Sequence, residues 1–209
     1  MEENDIKLSV IKLGLLGDSS VGKTCICNAF MNIEFCYENI ATIGTDRFES
    51  TISLENGKKI KIVFWDTVGQ ERFRSAVIKT IRFVNGIILV FDFTNRTSFK
   101  NLDIWLREIR DNFPDDTVIV LFGNKIDIEK EYWKVTIEEA KEYENKYNLI
   151  LFETSAKLNK GINEGFHYIT NKAYSIVEKK TEEKNNISNI KLIKINVCIE
   201  ANKFLKLII

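Results

Sequence analysis

Along the chain, short apolar runs alternate with stretches in which apolar residues recur every three or four positions. "GIILVFDF" and "TVIVLFGN" are continuous apolar runs bounded by turn residues, the pattern of strands covered on both faces. "IKLSVIKLGLLG" and "NLILFETSA" are also strand-like. "KTCICNAFMN", "TSFKNLDIWLREIRDNF", "TIEEAKEYENKY" and "NEGFHYITNKAYSIVEKK" read as helices. In the second of these, Phe99, Leu102, Trp105, Leu106 and Ile109 fall at helical spacing, and in the third Thr136 and Glu139 form a capping-box pattern. "RFESTISL" and "KKIKIVFWD" flank "ENG", where Asn56-Gly57 predicts a hairpin with positive φ values. Strands alternating with helices imply a mostly parallel sheet with helices on both faces. Ligands then collect at the carboxyl ends of the strands.

Composition narrows the picture. The 209 residues suffice for one domain with a full core. Thirty basic and thirty acidic residues cancel, which argues against a general nucleic-acid or anionic-membrane surface. Cys25, Cys27, Cys36 and Cys198 show no secreted-type framework, and no signal peptide precedes Ile6, so the expectation is a reducing cytoplasm. Cys25 and Cys27 have the look of a C-x-C metal pair, but residues two apart on a helix do not face each other, so packing is expected. No apolar run reaches the ~18 residues of a membrane-spanning helix.

Candidate chemistry begins where the first strand ends. Residues 17 to 24, "GDSSVGKT", fit G-x-x-x-x-G-K-[ST] between a strand and a helix. Such a loop aims successive backbone N–H groups inward, and the helix start adds partial positive charge. Ser19, Ser20, Val21, Gly22, Lys23, Thr24 and Cys25 are therefore the candidate phosphate contacts. Lys23 would reach the β- and γ-phosphates and the Thr24 hydroxyl would bind Mg²⁺. "GNKID" after "TVIVLF" points to the base: the Asp127 carboxylate can accept from the N1–H and exocyclic amine of guanine, a donor pair adenine lacks. Asn124 can bond the base edge and tie the loop together, while the Lys125 stem lies along the ring. "TSAK" adds Ser155 to steady that loop, the Ala156 N–H for the guanine carbonyl, and Lys157. In "WDTVGQE", Asp66 is placed to hold Mg²⁺ through water, the Gly69 N–H to meet a γ-phosphate, and Gln70 to orient the attacking water.

On these residues the chain resembles the Ras superfamily of small GTPases and, within it, the Rab family. The Rab-like pieces are "IGTD", "WDTVGQERFRS", "GIILVFDFTN", "SFKNLDIWLREIR" and "FGNKID", and the likeness covers residues 7 to 178. It implies a P-loop NTPase G domain, α/β, with a six-stranded, mostly parallel sheet and five helices. It further implies that Thr42 is the switch threonine, binding Mg²⁺ and the γ-phosphate, and that Phe35 packs edge-on against guanine. GTP/GDP and Mg²⁺ are the implied ligands. The implied partners are an exchange factor, a GTPase-activating protein and effectors, through switch regions at about 35–48 and 66–82.

The chain also departs from Rab sequences. They usually have alanine where Val68 stands, a branched neighbour that would crowd the Gly69 turn. They have phenylalanine at the position of Arg47 and tyrosine at that of Thr80, which with Trp65 form an aromatic patch read by effectors; here Phe48 lies one place out of register. Rab chains end in prenylated cysteines, whereas Cys198 has eleven residues after it. Residues 1–180 read as the G domain and 181–209 as a linker and atypical tail. Alternation at Ile193, Ile195, Val197 and Ile199 is strand-like, although "NKFLKLII" could lie on a membrane surface. The expectation is a cytoplasmic protein, peripheral on endomembranes, with at most weak membrane contact. The leading reading is a GTP-driven switch with slow hydrolysis in vesicle traffic. The alternative is a GTP-binding module that seldom hydrolyses, and a nucleoside kinase would share the Gly loop but not "NKID" and "TSAK".

Overall fold

The computed structural model describes residues 8–36, 44–67, 69 and 74–208, with side chains through Asn185. The expected alternation of elements is present. β1 (Val10–Leu16) leads into α1 (Lys23–Phe30), and β2 (Thr45–Ser53) pairs with β3 (Lys59–Thr67) before α2 (Arg74–Thr80). Next come β4 (Gly86–Asp92), α3 (Arg96–Lys100), α4 (Leu102–Asn112), β5 (Val118–Asn124), α5 (Ile137–Tyr147), β6 (Leu151–Glu153) and α6 (Ile162–Ile208). The sheet order is β2-β3-β1-β4-β5-β6. Among the six described strands, only β2 runs antiparallel to its neighbour. The six-stranded α/β architecture is therefore as the resemblance implied.

Every residue of β4 is buried, as its unbroken apolar run requires. On one face, Trp105, Leu102 and Ile109 of α4 pack with Leu89, Phe91 and Leu121 of the sheet, together with Ala140 and Tyr143 of α5. On the other face, Phe64 of β3 meets Phe30 of α1 and Phe166 of α6 edge-on, and Phe30 and Phe166 stack at 4.0 Å. The strand order reverses around β1, so its carboxyl end opens into a crevice where ligands of such sheets bind.

Three local expectations change in detail. The single helix read over "TSFKNLDIWLREIRDNF" is divided at Asn101 into α3 and α4, giving six α-helices among the described residues where five were implied. Asn95 caps α3 by accepting from the Thr97 and Ser98 N–H groups. At the hairpin, Gly57 has φ 79° but Asn56 stays out of the left-handed region. The Gly57 N–H donates to the Leu54 carbonyl and the Leu54 N–H to the Lys58 carbonyl, both at 2.9 Å, so glycine closes a three-residue loop (55–57) instead of a two-residue one. The strand-like reading of residues 193–199 is overturned, because α6 continues through them to Ile208. Lys194 and Asn196 give the strand-like alternation, but Leu192, Ile195 and Ile199 also fall three and four positions apart, and the backbone takes the helical period. By contrast, the capping box at α5 forms in both directions: Thr136 Oγ1 accepts from the Glu139 N–H, and the Glu139 carboxylate accepts from the Thr136 N–H.

The chain forms two compact units, Met1–Ala173 and Tyr174–Ile209. In the second, the Tyr174 hydroxyl donates to Glu178, and Thr181 Oγ1 donates to the Val177 carbonyl one helical turn back. No helix among the described residues is long and apolar enough to cross a membrane.

Candidate functional site

The loop after β1 turns on two close approaches. Gly22 starts α1 at φ 100°, and any side chain there would run into the Asn124 amide. Gly69 lies against the Asp18 carbonyl and Lys23 Nζ, leaving no room for a Cβ. Gly69, just after β3, is therefore laid directly on the Gly17–Thr24 loop. Lys23 Nζ donates to the Gly17 carbonyl at 3.0 Å and the Asp18 carbonyl at 2.8 Å. Burial lowers the Lys23 ammonium from 10.5 to about 8, against the pull of the Asp66 and Asp18 carboxylates. Beside it, Thr24 Oγ1 donates to Asp66 Oδ2 at 2.5 Å. A hydroxyl and a carboxylate are hard oxygen donors of the kind Mg²⁺ takes, usually with several waters. The donor set fits that ion.

A second group of loops closes over the first. Asn124 Nδ2 donates to the Val21 carbonyl at 2.9 Å, and Asn124 Oδ1 accepts from the Ala156 N–H and the Thr154 hydroxyl. Ser155 Oγ donates to Asp127 Oδ1 at 2.6 Å and in turn accepts from the Leu158 N–H. Lys125 Nζ donates to the Ser20 carbonyl at 2.9 Å and pairs with Asp92 Oδ2 at 2.6 Å. The carboxyl ends of β1, β4, β5 and β6 are thus stitched into one mouth. The positions read from "GDSSVGKT", "NKID" and "TSA" converge there.

Other positions fall elsewhere. Phe35 is half-buried in the segment after α1. Thr42, Val68 and Gln70 lie outside the described residues. Cys27 is buried and its thiol is held well above its usual range by that burial, while Cys25 is partly exposed. Among the described residues no cluster of three or more metal-ligating side chains occurs.

Two supporting residues escaped the sequence reading. Asp92 carries Lys125, and its only linear signal is an acid ending a buried strand. Asp18 accepts from Asn101 Nδ2 at 2.6 Å and Trp105 Nε1 at 2.8 Å, with the Arg74 guanidinium 3.7 Å away. That contact joins positions more than eighty residues apart and has no linear signal. The aromatic positions also resolve. Arg47 stands beside Trp65 in register, and Thr80 Oγ1 bonds back to the Ala76 carbonyl of its own helix. Phe48 projects to the opposite face of the sheet, where it stacks on Phe64 at 5.3 Å.

With this geometry in view, the comparisons with known proteins are consistent. A model of the Ras family matches residues 12–175. The chain is 38% identical over 180 residues to the Ras-related protein RABA2a of Arabidopsis thaliana, covering 86% of this chain and 81% of that one. It is 41% identical over 160 residues to the Ras-related protein RAB1BV of Beta vulgaris, covering 77% and 74%. It is likewise 41% identical over 157 residues to the Ras-related protein Rab-13 of Bos taurus, covering 75% and 76%.

Proposed function

This chain belongs to the Ras family as a Rab-like small GTPase that switches by hydrolysing GTP, and from that premise we propose the residues and partners it uses. Ras-family GTPases bind guanine nucleotide and Mg²⁺. Here the phosphates lie along the N–H groups of Ser19 to Cys25 with Lys23 on their charge. Guanine is taken by Asp127, Asn124 and the Ala156 N–H, steadied by Ser155, with Lys125, Lys157 and Phe35 around the ring. Thr24 and Thr42 would hold Mg²⁺ directly and Asp66 through water, and the bound ion would supply positive charge against that developing on the phosphate oxygens. The Gly69 N–H meets the γ-phosphate, and Gln70 orients the attacking water.

The observation that best supports this set is the Asn124–Val21 bond at 2.9 Å, which ties the base-reading loop to the phosphate loop. Loops tied side by side in this way can meet the base and the phosphates of one nucleotide, so the two motifs act on a single ligand.

Residues 1–180 act as the G domain and 181–209 as its tail. Exchange factor, activating protein and effectors meet the switch regions at 35–48 and 66–82. The activating protein supplies an arginine worth about 10³–10⁵ in rate. The setting is intracellular vesicle traffic on the cytoplasmic side of endomembranes, as the Rab-named relatives suggest, with weak membrane contact through the tail.

Competition binding with GTP and ATP, followed by single-turnover hydrolysis, tests the assignment. GTP should win by orders of magnitude, and Gln70→Leu should bind normally but hydrolyse at least tenfold more slowly. Equal binding of ATP, or full hydrolysis by Gln70→Leu, would sink it. Hydrolysis too slow to follow in the parent, rescued by Val68→Ala, would instead favour the binding-module alternative.

A further inference from the structure

The sheet face carrying Trp65 has features that nucleotide chemistry does not use. Val10, Lys12 and Gly14 alternate along one side of β1, and in register beside them stand Lys61, Val63 and Trp65 of β3. β2 continues the same face with Glu49 and Arg47. After α2, Ile81 and Val84 turn inward over Gly14, while Phe83 between them is 46% exposed. Its ring meets Trp65 edge-on, with centroids 4.8 Å apart and planes at 79°. Lys12 Nζ rests over the Phe83 ring, 5.2 Å from its centroid. Val10, on the same face, is 43% exposed.

The charge on this face is one-sided. Lys12, Arg47, Lys59 and Lys61 carry four positive charges, and Glu49, which pairs with both Arg47 and Lys61, carries one negative charge. These five residues sum to +3 on a chain whose net charge is zero. Among the described residues, no ion pair occupies Lys12. Phe83, exposed beside the partly buried Trp65, makes an aromatic ledge instead of a lone apolar residue, and tryptophan is enriched in binding hot spots. An acidic occupant would be steered to the face by its charge.

We propose that Trp65, Phe83 and Lys12 form a docking site for a partner protein's segment, in which a large apolar side chain lies on the aromatic pair and flanking carboxylates meet Lys12 and Lys61. This rests on the reading of β2, β3 and α2 as the partner-facing surface, and adds which residues anchor the partner and what chemistry it carries. An anionic lipid surface would also meet the charge. However, Trp65 is partly buried and edge-on to Phe83, a ledge shaped for an inserted side chain and not a tip that enters a bilayer.

The test uses the full chain loaded with a non-hydrolysable GTP analogue and two helical 18-residue peptides with the same leucine ridge, flanked by glutamates in one and lysines in the other. Fluorescence anisotropy should show the glutamate peptide binding at least tenfold tighter. Phe83→Ala should lose at least tenfold of that affinity and Phe83→Tyr should retain it. Lys12→Glu should abolish or invert the preference between the peptides. GTP affinity, measured on the same samples, should stay within twofold, so a nucleotide defect is read separately from a docking defect. Equal binding of the two peptides, no binding of either, or unchanged affinity in Phe83→Ala overturns the proposal. Phe83-dependent sedimentation with phosphatidylserine vesicles in the absence of peptide binding would assign the face to lipid and overturn it as well.

Discussion

Thr24 at the start of α1 donates its hydroxyl hydrogen to Asp66 near the end of β3, Oγ1 to Oδ2 at 2.5 Å. The contact spans 42 positions and joins two of the three residues read as holding the metal. If both serve one ion, removing either should raise the Mg²⁺ concentration needed for slow GDP release, by at least tenfold. The double variant should be little worse than the single ones, because both act on the same ion. Release of a fluorescent GDP titrated with Mg²⁺ measures this. An unchanged Mg²⁺ midpoint in Asp66→Ala would remove Asp66 from the site.

Asp127 is held by Ser155 at 2.6 Å, and an asparagine there can still accept that bond. Asp127→Asn should therefore fold normally while replacing a base acceptor by an amide donor. A hydrogen bond to a charged group contributes about 1.5–3 kcal/mol, so GTP affinity should fall ten- to a hundredfold and xanthosine triphosphate should gain. Ser155→Ala should weaken GTP without altering base preference, since it only positions the carboxylate. Unaltered GTP affinity in Asp127→Asn would show that another group reads the base.

Lys23 makes the nucleotide-free protein sensitive to pH. Its folded pKa is about 8 and its unfolded value 10.5, so between these the unfolded chain binds more protons. Stability should then rise with pH across this window, with the cost of burying the charge fully present below about 8 and relieved above 10.5. The full effect is about 3 kcal/mol. Thermal melts of nucleotide-free protein from pH 7.5 to 9.5 should rise relative to Lys23→Met. A parallel course for the two proteins would refute the assignment.

Ser20 sits at φ 62° in the phosphate loop, a left-handed conformation that costs a residue with a Cβ about 1–2 kcal/mol. Its carbonyl accepts from Lys125, a bond that any residue there would keep. Glycine relieves the backbone strain but loses about 0.5–1 kcal/mol of chain entropy, so Ser20→Gly should stabilise by about 0.5 kcal/mol. Ser19, outside the left-handed region, should instead lose stability on the same change. Urea unfolding of the two variants measures the difference; a Ser20→Gly protein no more stable than Ser19→Gly would count against strain at this position.

The local code alone determined the strand–helix alternation, the glycine-rich loop at 17–24, the motifs proposed to read the base and the Thr136–Glu139 capping box. Each of these depends on neighbours within a few positions, so periodicity, turn chemistry and short motifs suffice. The tertiary structure decided what depends on residues distant in the chain. The helix read as one piece breaks at Asn101, the residue whose amide reaches Asp18, 83 positions away. Asp92 becomes part of the site only because β4 lies beside β5 and brings Lys125 within 2.6 Å. Phe48 leaves the partner-facing surface because strand alternation turns it onto Phe64, and Phe83 joins that surface because the chain after α2 folds back over Gly14 to meet Trp65. Which face a side chain takes, and what it meets there, is set by pairing register and packing across the sheet. A linear pattern records the alternation but not the partner.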